Sequence, residues 1–586
     1  MNRNRNKNRK KETGAVVSLF LVSSLAFGGC GTAVTSSSSV NTESTSTEST
    51  GETSADNAAA TSESTASENA MESASDINFD LELTESTIDT EFTDREKSGS
   101  YKASEAVKIT LNKTTATVSG SGVKADGSTI TITEEGVYIV SGTLEDGQII
   151  VDASDSDKVQ IVLDGVHINC ETNAAIYVRE ADKVFITLAE NSSNTLGGGN
   201  EYSQIDDNTV DGVIFSKSDL VCNGTGSLTI EADYKHGIVS KDDLVITGGT
   251  YKITAADNGI TAKDQLKILD GSFVIDAANS AVKAKNTDDT ELGNIYIAGG
   301  VFTVKAEQDG FHATGSIVVD DGTITVNSGD DGSISGASDG KEPPQMPPDT
   351  ENGSDMQPSQ DFDPENAPSG GNAPQNFDPG NAPSDGDAPQ MMQGGPGGGG
   401  NSELYIKITG GTLTVSADGD GLDSNGGLLV TGGTTIVYGP TSDGDSALDY
   451  DGSAIVTGGT LAAIGSAGMT ESFDEASTQP VITYYCTETQ SADTTITLTD
   501  SDGSALFTVT PEKAYASIVL TCPEMKLDAT YTLAAGTDNE EITLTDIITT
   551  AGTRSVKTMS DPEGGKMPNN SDNKGTPPSK PNDTAE

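Results

Sequence analysis

The chain has 586 residues, with 33 Lys plus Arg against 90 Asp plus Glu, a formal net charge of −57. A balance this acidic excludes nucleic acid as a partner, because phosphate backbones need basic surfaces, and it suits cations. Aromatic residues make up 5% and Trp is absent, so the expectation is a narrow core of Val, Ile, Leu and Ala rather than one large globular core.

Residues 1–29 read as a lipoprotein signal peptide. A basic n-region, MNRNRNKNRKK, precedes an apolar stretch from Ala15 to Phe27 that is too short to span a membrane comfortably. It ends at Gly28-Gly29-Cys30-Gly31, where small residues before a Cys resemble a lipoprotein box. Cys30 is therefore the expected lipidation site. This places the protein on the cell surface, anchored through lipid to the outer face of the cytoplasmic membrane. Residues 30–98 are rich in Ser, Thr and Glu and poor in apolar side chains, and read as a disordered tether.

From residue 99 the pattern changes to short β-branched runs broken by Gly turns. HGIVSKDDLVITGGTYKITAAD from His236 recurs as NGITAKDQLKILDGSFVIDAAN from Asn258, and again as DGLDSNGGLLVTGGTTIVYG from Asp420. The turn glycines Gly249, Gly271, Gly300 and Gly322 are 22, 29 and 22 residues apart, and Gly433 to Gly459 is 26. A short fixed period signals a solenoid. Residues 99–480 are thus expected to form a parallel β-helix of coils about 22 residues long. Residues 341–402 form a Pro-, Gly-, Asn- and Met-rich insertion expected to be disordered. Inward positions are expected at Ile238, Val245, Ile246, Ile253, Ile260, Leu266, Ile268, Val274, Ile317, Val319 and Ile324. Residues 481–556 lack the beat and read as a small C-terminal β module capping the open end. Residues 557–586 read as a disordered tail. Cys486 and Cys522 form a disulfide in an exported module, or else Cys170, Cys222, Cys486 and Cys522 are all small buried hydrophobes.

A solenoid stacks equivalent positions into columns about 4.8 Å apart. One expected column is Asn258, Asp309, Asp331 and Asp420. A second is Asp257, Asn279, Gln308 and Asp330, and Asp423 with Asp449 begins a third. Carboxylates so stacked repel one another unless solvated or neutralised, and hard oxygen ligands point to Ca²⁺, above all at Asp418, Asp420 and Asp423. The alternative is that these side chains bond their own turns. Lys241, Lys263 and Lys285 share another phase and read either as a solvated ladder or, with Lys283, as candidate bases.

The segments DGDGLDSNGGLLVTGGTTIVYGP and QDGFHATGSIVVDDGTITVNSGDDG resemble a group of bacterial cell-surface carbohydrate-binding β-helix proteins, typified by a clostridial cellulose- and polygalacturonate-binding protein. The resemblance spans about Tyr101 to Thr549. It implies an all-β, right-handed parallel β-helix with bound calcium, and acidic ligand positions at Asp309, Asp330, Asp331, Asp418, Asp420 and Asp423. The function it implies is surface-anchored, calcium-dependent binding of polysaccharide: acidic, pectin-like polygalacturonate, or cellulose. Two other readings remain open. One is a uronate lyase that uses Lys241, Lys263 or Lys283 beside calcium to remove the C–H proton. The other is a rod without a ligand. Tyr251, Tyr296, Tyr405 and Tyr438 are the modest substitutes for a Trp platform.

Overall fold

Each repeat places a β-branched or apolar residue at every second position and a Gly at the corner, so the chain alternates short strands with tight bends. The computed structural model describes residues 88–329, the backbone of 334–336, and 404–554, all within the unit Asp80–Glu586. These residues are almost entirely strand. The one helix among them is Asp94–Lys97, closed by a capping box between Thr93 and Glu96.

Three parallel faces run along the solenoid. On the first, His236–Ser240 pairs with Ile260–Ala262, then Val282–Ala284, Phe311–Ala313, Ile334–Gly336, Leu422–Ser424 and Leu448–Tyr450. On the second, Leu244–Ile246 pairs with Gln265–Ile268, then Asn294–Ile297, Ile317–Val319 and Tyr405–Ile408. On the third, Thr250–Ala255 pairs with Ser272–Ala277, then Val301–Ala306, Thr323–Ser328 and Thr412–Ala417. Every pairing is parallel and joins one coil to the next, as in a β-helix-like solenoid. The coil that ends at Ser328 pairs directly with the one that begins at Thr412, so the beat resumes across residues 341–402, which lie outside the described residues.

The corner glycines have a physical reason. Gly249, Gly300 and Gly322 have φ of 110°, 110° and 121°, backbone that side chains with a Cβ avoid. At Gly322 an added Cβ would stand 2.9 Å from the carbonyl oxygen of Gly300 in the coil before.

The core is a single stack. Ile238, Ile260, Val282, Phe311 and Leu422 fill it from the first face, and Ile253, Ile275, Val304 and Val326 from the third. Tyr251, Phe273 and Phe302 stack inside it at centroid distances of 5.1 and 4.5 Å. Two of the expected inward positions differ. Val274 is 49% exposed, because strand Ser272–Ala277 turns Phe273, Ile275 and Ala277 inward and leaves the residues between them outside. Val245 is buried, but outside the core, in a cluster with Phe185, Val221 and Phe92.

After Thr460–Gly465 the direction reverses. Tyr515–Thr521 pairs antiparallel with that last coil strand, and Ile496–Thr499, Ala505–Val509, Thr530–Ala535 and Asp538–Thr543 form a four-stranded antiparallel sheet over a second apolar cluster. Cys170, Cys222, Cys486 and Cys522 are all free and buried, so Cys486 and Cys522 are not joined. The stretch 88–98, which the sequence places in the tether, is packed lengthwise on the second face. Cys30 and the rest of the expected tether lie outside the described residues.

Candidate functional site

The first face carries a column that changes character along the solenoid. Its outward position is occupied in turn by Tyr177, Phe215, Val239, Thr261, Lys283 and His312, and, past the strand Ile334–Gly336, by Asp423 and Asp449. At the early end Tyr177, Phe215 and Val239 are buried with Val210. At the late end the position is acidic and half-buried.

Beside it runs a corner column whose side chains bond the next coil. His236 Nδ1 accepts from the Asn258 amide at 3.2 Å, Asn258 Oδ1 from the Ser280 amide at 3.1 Å, and Asp420 Oδ1 from the Ser446 amide at 2.6 Å. Three different side chains serve one purpose: each satisfies a backbone donor at a bend. Asp309 bonds side chains instead, accepting from the Ser280 hydroxyl of the coil before at 3.1 Å and pairing with His312 Nδ1 of its own coil at 2.8 Å. The neighbouring column of Asp257, Asn279 and Gln308 is linked coil to coil, with Asn279 Nδ2 donating to Asp257 at 2.9 Å.

The expected acidic residues therefore separate. Asp330 and Asp331 lie outside the described residues. Asp418 turns toward the C-terminal module and pairs with Lys513 at 2.8 Å. Asp309 stands two coils from Asp420. Asp420 and Asp423 belong to one coil, and two further carboxylates follow beyond it. Asp449 lies directly across from Asp423 in the next coil, and Glu471 follows one coil later, its carboxylate accepting from the Tyr450 amide at 3.3 Å. Burial, then Asp449, then Asp420 and Asp451 push the Glu471 carboxyl up to about 7. Burial and then Asp451 raise Asp449 as well. Such shifts record negative charge concentrated in a partly desolvated place. Four carboxylates, two of them destabilised as anions, concentrate negative charge at this end of the face, whereas among the described residues the three carboxylate oxygens that lie within 4.8 Å of one another are those of Asp219, Asp242 and Asp243.

Sequence reasoning placed Asp449 in the Asp423 column but missed Glu471, which lies past the point where the repeat fades. It also missed a second group, Asp219, Asp242 and Asp243, whose carboxylate oxygens lie within 4.8 Å of one another. Lys183 approaches Asp219 at 3.6 Å there.

The lysines are paired. Lys241 reaches Asp211 at 3.3 Å and Lys263 reaches Asp288 at 2.7 Å. The bond to Asp288 raises the Lys263 pKa, the opposite of what an amine base needs. Lys283 stands between Thr261 and His312 in the outward column. The tyrosines form no sugar platform: Tyr251 is inside the core, Tyr296 and Tyr405 are buried under residues 88–92, and Tyr438 is half-buried beside the C-terminal cluster.

The fold and these columns define a β-solenoid protein whose outward face carries ordered polar side chains. Residues 126–437, which are 312 of the 586 and so more than half, match the family described as carbohydrate-binding domain-containing protein, and the chain belongs to that family. A protein of Acetivibrio thermocellus with that same description is 38% identical over 136 residues, 23% of this chain and 48% of the relative; the match spans about half of that relative's length. A solved gadolinium derivative of a polysaccharide lyase-like protein from C. thermocellum is similar at 31% identity and a TM-score of 0.39, over 39% of this chain and 94% of that one.

Proposed function

We propose that this protein is a calcium-dependent binder of acidic polysaccharide, of the polygalacturonate kind, held at the cell surface by a lipid on Cys30. We read its solenoid as a right-handed parallel β-helix, the hand that strand twist favours for parallel crossovers. The observation that carries the function is the acidic end of the first face, where Asp423 and Asp449 stack on adjacent coils and Asp449 and Asp420 act on Glu471. A chain of net charge −57 repels a polyuronate. A calcium ion bound there supplies positive charge that both protein and uronate carboxylates share. Asp423 and Asp449 present oxygens from adjacent coils, and Glu471 and Asp420 flank them. Asp309, Asp330, Asp331 and Asp418 remain ligand candidates in the same reading. Burial of Tyr251, Tyr296 and Tyr405 makes a flat glucan such as cellulose the weaker ligand.

The test is electrophoresis in native gels containing polygalacturonate, with cellulose pull-down alongside. Retardation in millimolar calcium that is lost in chelator, and lost in Asp449→Asn with Glu471→Gln, supports the reading. Retardation indifferent to chelator refutes the calcium bridge. Appearance of unsaturated uronide absorbance replaces binding with lyase chemistry. Palmitate labelling lost in Cys30→Ala tests the anchor; labelling retained refutes it.

A further inference from the structure

The stretch Ile88 to Ser98 lies along the second face as a strap. Five side chains of the solenoid present donors to it, and its Ile88 and Phe92 pack on Phe185, Val221, Val245, Tyr296, Val318 and Tyr405. Gln265 grips Asp89 twice: Nε2 donates to its carbonyl at 2.7 Å, and Oε1 accepts from its amide at 3.2 Å. The Lys267 ammonium donates to the Asp89 carboxylate at 2.7 Å and to the Glu91 carbonyl at 2.6 Å. Asn223 Nδ2 and the Thr247 hydroxyl both donate to the Glu96 carbonyl, at 3.2 and 2.6 Å. Lys183 donates to the Glu96 carboxylate at 2.8 Å. Tyr296 lies 6.0 Å from the Phe92 ring. At the strap's other end the Arg95 guanidinium sits 4.5 Å over Phe185.

Asn223, Gln265 and Lys267 are buried where the strap lies over them, and Lys183 and Thr247 are half-buried. Lys267 is 5% exposed, in an outward column between Val245 and Tyr296. An ammonium there needs an anion, and Asp89 provides it. Yet the strap's backbone is not woven into the sheet. Among the described residues its backbone–backbone hydrogen bonds are internal, from Lys97 to Thr93 and from Ser98 to Asp94. It adds no strand to the sheet. A short segment outside the sheet ladder can open without unpairing a strand.

Beneath the strap, then, lies a groove with an ammonium for a carboxylate, two side-chain amides and a hydroxyl for sugar oxygens, and aromatic rings for a pyranose face. The strap occupies it as an extended chain whose carboxylates and carbonyls supply the acceptors. We propose that the strap is a displaceable mimic of an acidic glycan, and that the groove is a second, calcium-independent site for a polyuronate segment. A uronate carboxylate takes the place of Asp89 on Lys267, and its hydroxyls take the place of the Asp89 and Glu96 carbonyls on Gln265, Thr247 and Asn223. The inference rests on the reading above that the ligand is an acidic polysaccharide.

The strap competes in cis, so it masks the site in proportion to the time it is closed. A strap closed nine-tenths of the time lowers the apparent affinity about tenfold. The experiment uses the full chain in chelator, with hexagalacturonate as the probe. Asp89→Asn with Phe92→Ala and Glu96→Gln loosens the strap and is expected to tighten binding up to about tenfold over the unmodified protein; adding Lys267→Met to that variant removes the gain. Equal affinity of the loosened and unmodified proteins overturns the proposal. Because the loosened variant can lose stability, hydrogen exchange of the unmodified protein gives a second measurement. Hexagalacturonate in chelator is expected to speed exchange of the Lys97 and Ser98 amides, and unchanged exchange there overturns the proposal. Calcium-dependent retardation with no strap effect sinks this inference alone, whereas no binding with or without calcium sinks both.

Discussion

The Glu471 carboxyl is the most direct test of the acidic group. Its folded pKa is raised from 4.5 to about 7, first by burial and then by Asp449. A raised acid pKa means that the folded protein holds this proton more tightly than the unfolded chain does. Its contribution to stability is therefore fully present below pH 4.5 and is lost as the pH rises through 7. At about 1.4 kcal/mol per unit, a fully buried group would lose about 3 kcal/mol; Glu471 is only half-buried, and solvent screening reduces this to about 1 to 2 kcal/mol. The perturbation is Asp449→Asn, which removes the largest charge acting on Glu471 while keeping its size. Urea midpoints measured in chelator between pH 4.5 and 7.5 are expected to fall in the unmodified protein. The fall should be shallower in Asp449→Asn and shallower still in Glu471→Gln. Other carboxylates titrate in all three proteins, so the differences between them carry the result. Calcium above pH 7 should restore the lost stability in the unmodified protein and less so in either variant. Parallel pH profiles for the three proteins would refute the assignment of this charge to the Asp449–Glu471 pair.

His236 has its pKa lowered by burial, which outweighs the raising effect of Asp257 and Asp211, with smaller lowering contributions from Lys241 and Lys235. Its stability contribution is thus present above its ordinary 6.5 and lost as pH falls below that value, so His236→Asn, which supplies an amide acceptor as Asn258 does, should narrow the melting-temperature gap between pH 5.5 and 7.5; an unchanged gap would count against it. Asp420→Asn keeps the acceptor for the Ser446 amide and Asp420→Ala removes it, so in chelator only the alanine variant should lose about 1 kcal/mol, while both should lose part of the calcium-induced rise in melting temperature. Phe302→Ala opens the interior stack between Phe273 and Phe311 and is expected to cost about 3 to 5 kcal/mol in urea unfolding; a loss below about 1 kcal/mol would mean that the stack repacks.

What could be read from the sequence was whatever the repeat itself encodes. The spacing of Gly249, Gly271, Gly300 and Gly322 reports the length of a coil, and coil length alone brings Asp423 beside Asp449 and Asp257 beside Asn279. Phase within a coil was less legible. Val274 is as apolar as its neighbours, and only the alternation of strand Ser272–Ala277, anchored by Phe273, shows that it points outward. Glu471 was beyond reach for the opposite reason: it follows the last regular coil, where no column predicts a partner. The strap was hidden more completely. Asp89, Glu91, Thr93 and Glu96 have the composition of a solvated spacer, and their partner Gln265 lies 176 residues from Asp89.

That contrast also bears on which acidic residues need a cation. At the corner position His236, Asn258 and Asp420 make the same hydrogen bond to the next coil, so the bond requires an acceptor and not a charge. An Asp there is explained without a metal. The outward position is different. Thr261, Lys283, His312, Asp423 and Asp449 succeed one another in it, which shows that the fold does not dictate its charge. Where the fold is indifferent, two stacked carboxylates with a third pressed against them are an electrostatic cost that packing does not require. The cost falls on the one end of the face where Asp420, Asp449, Asp451 and Glu471 act on one another. A ligand is therefore expected first at the outward column and Glu471, with Asp420 beside them: its corner bond accounts for an acceptor there but not for the charge it adds to Glu471.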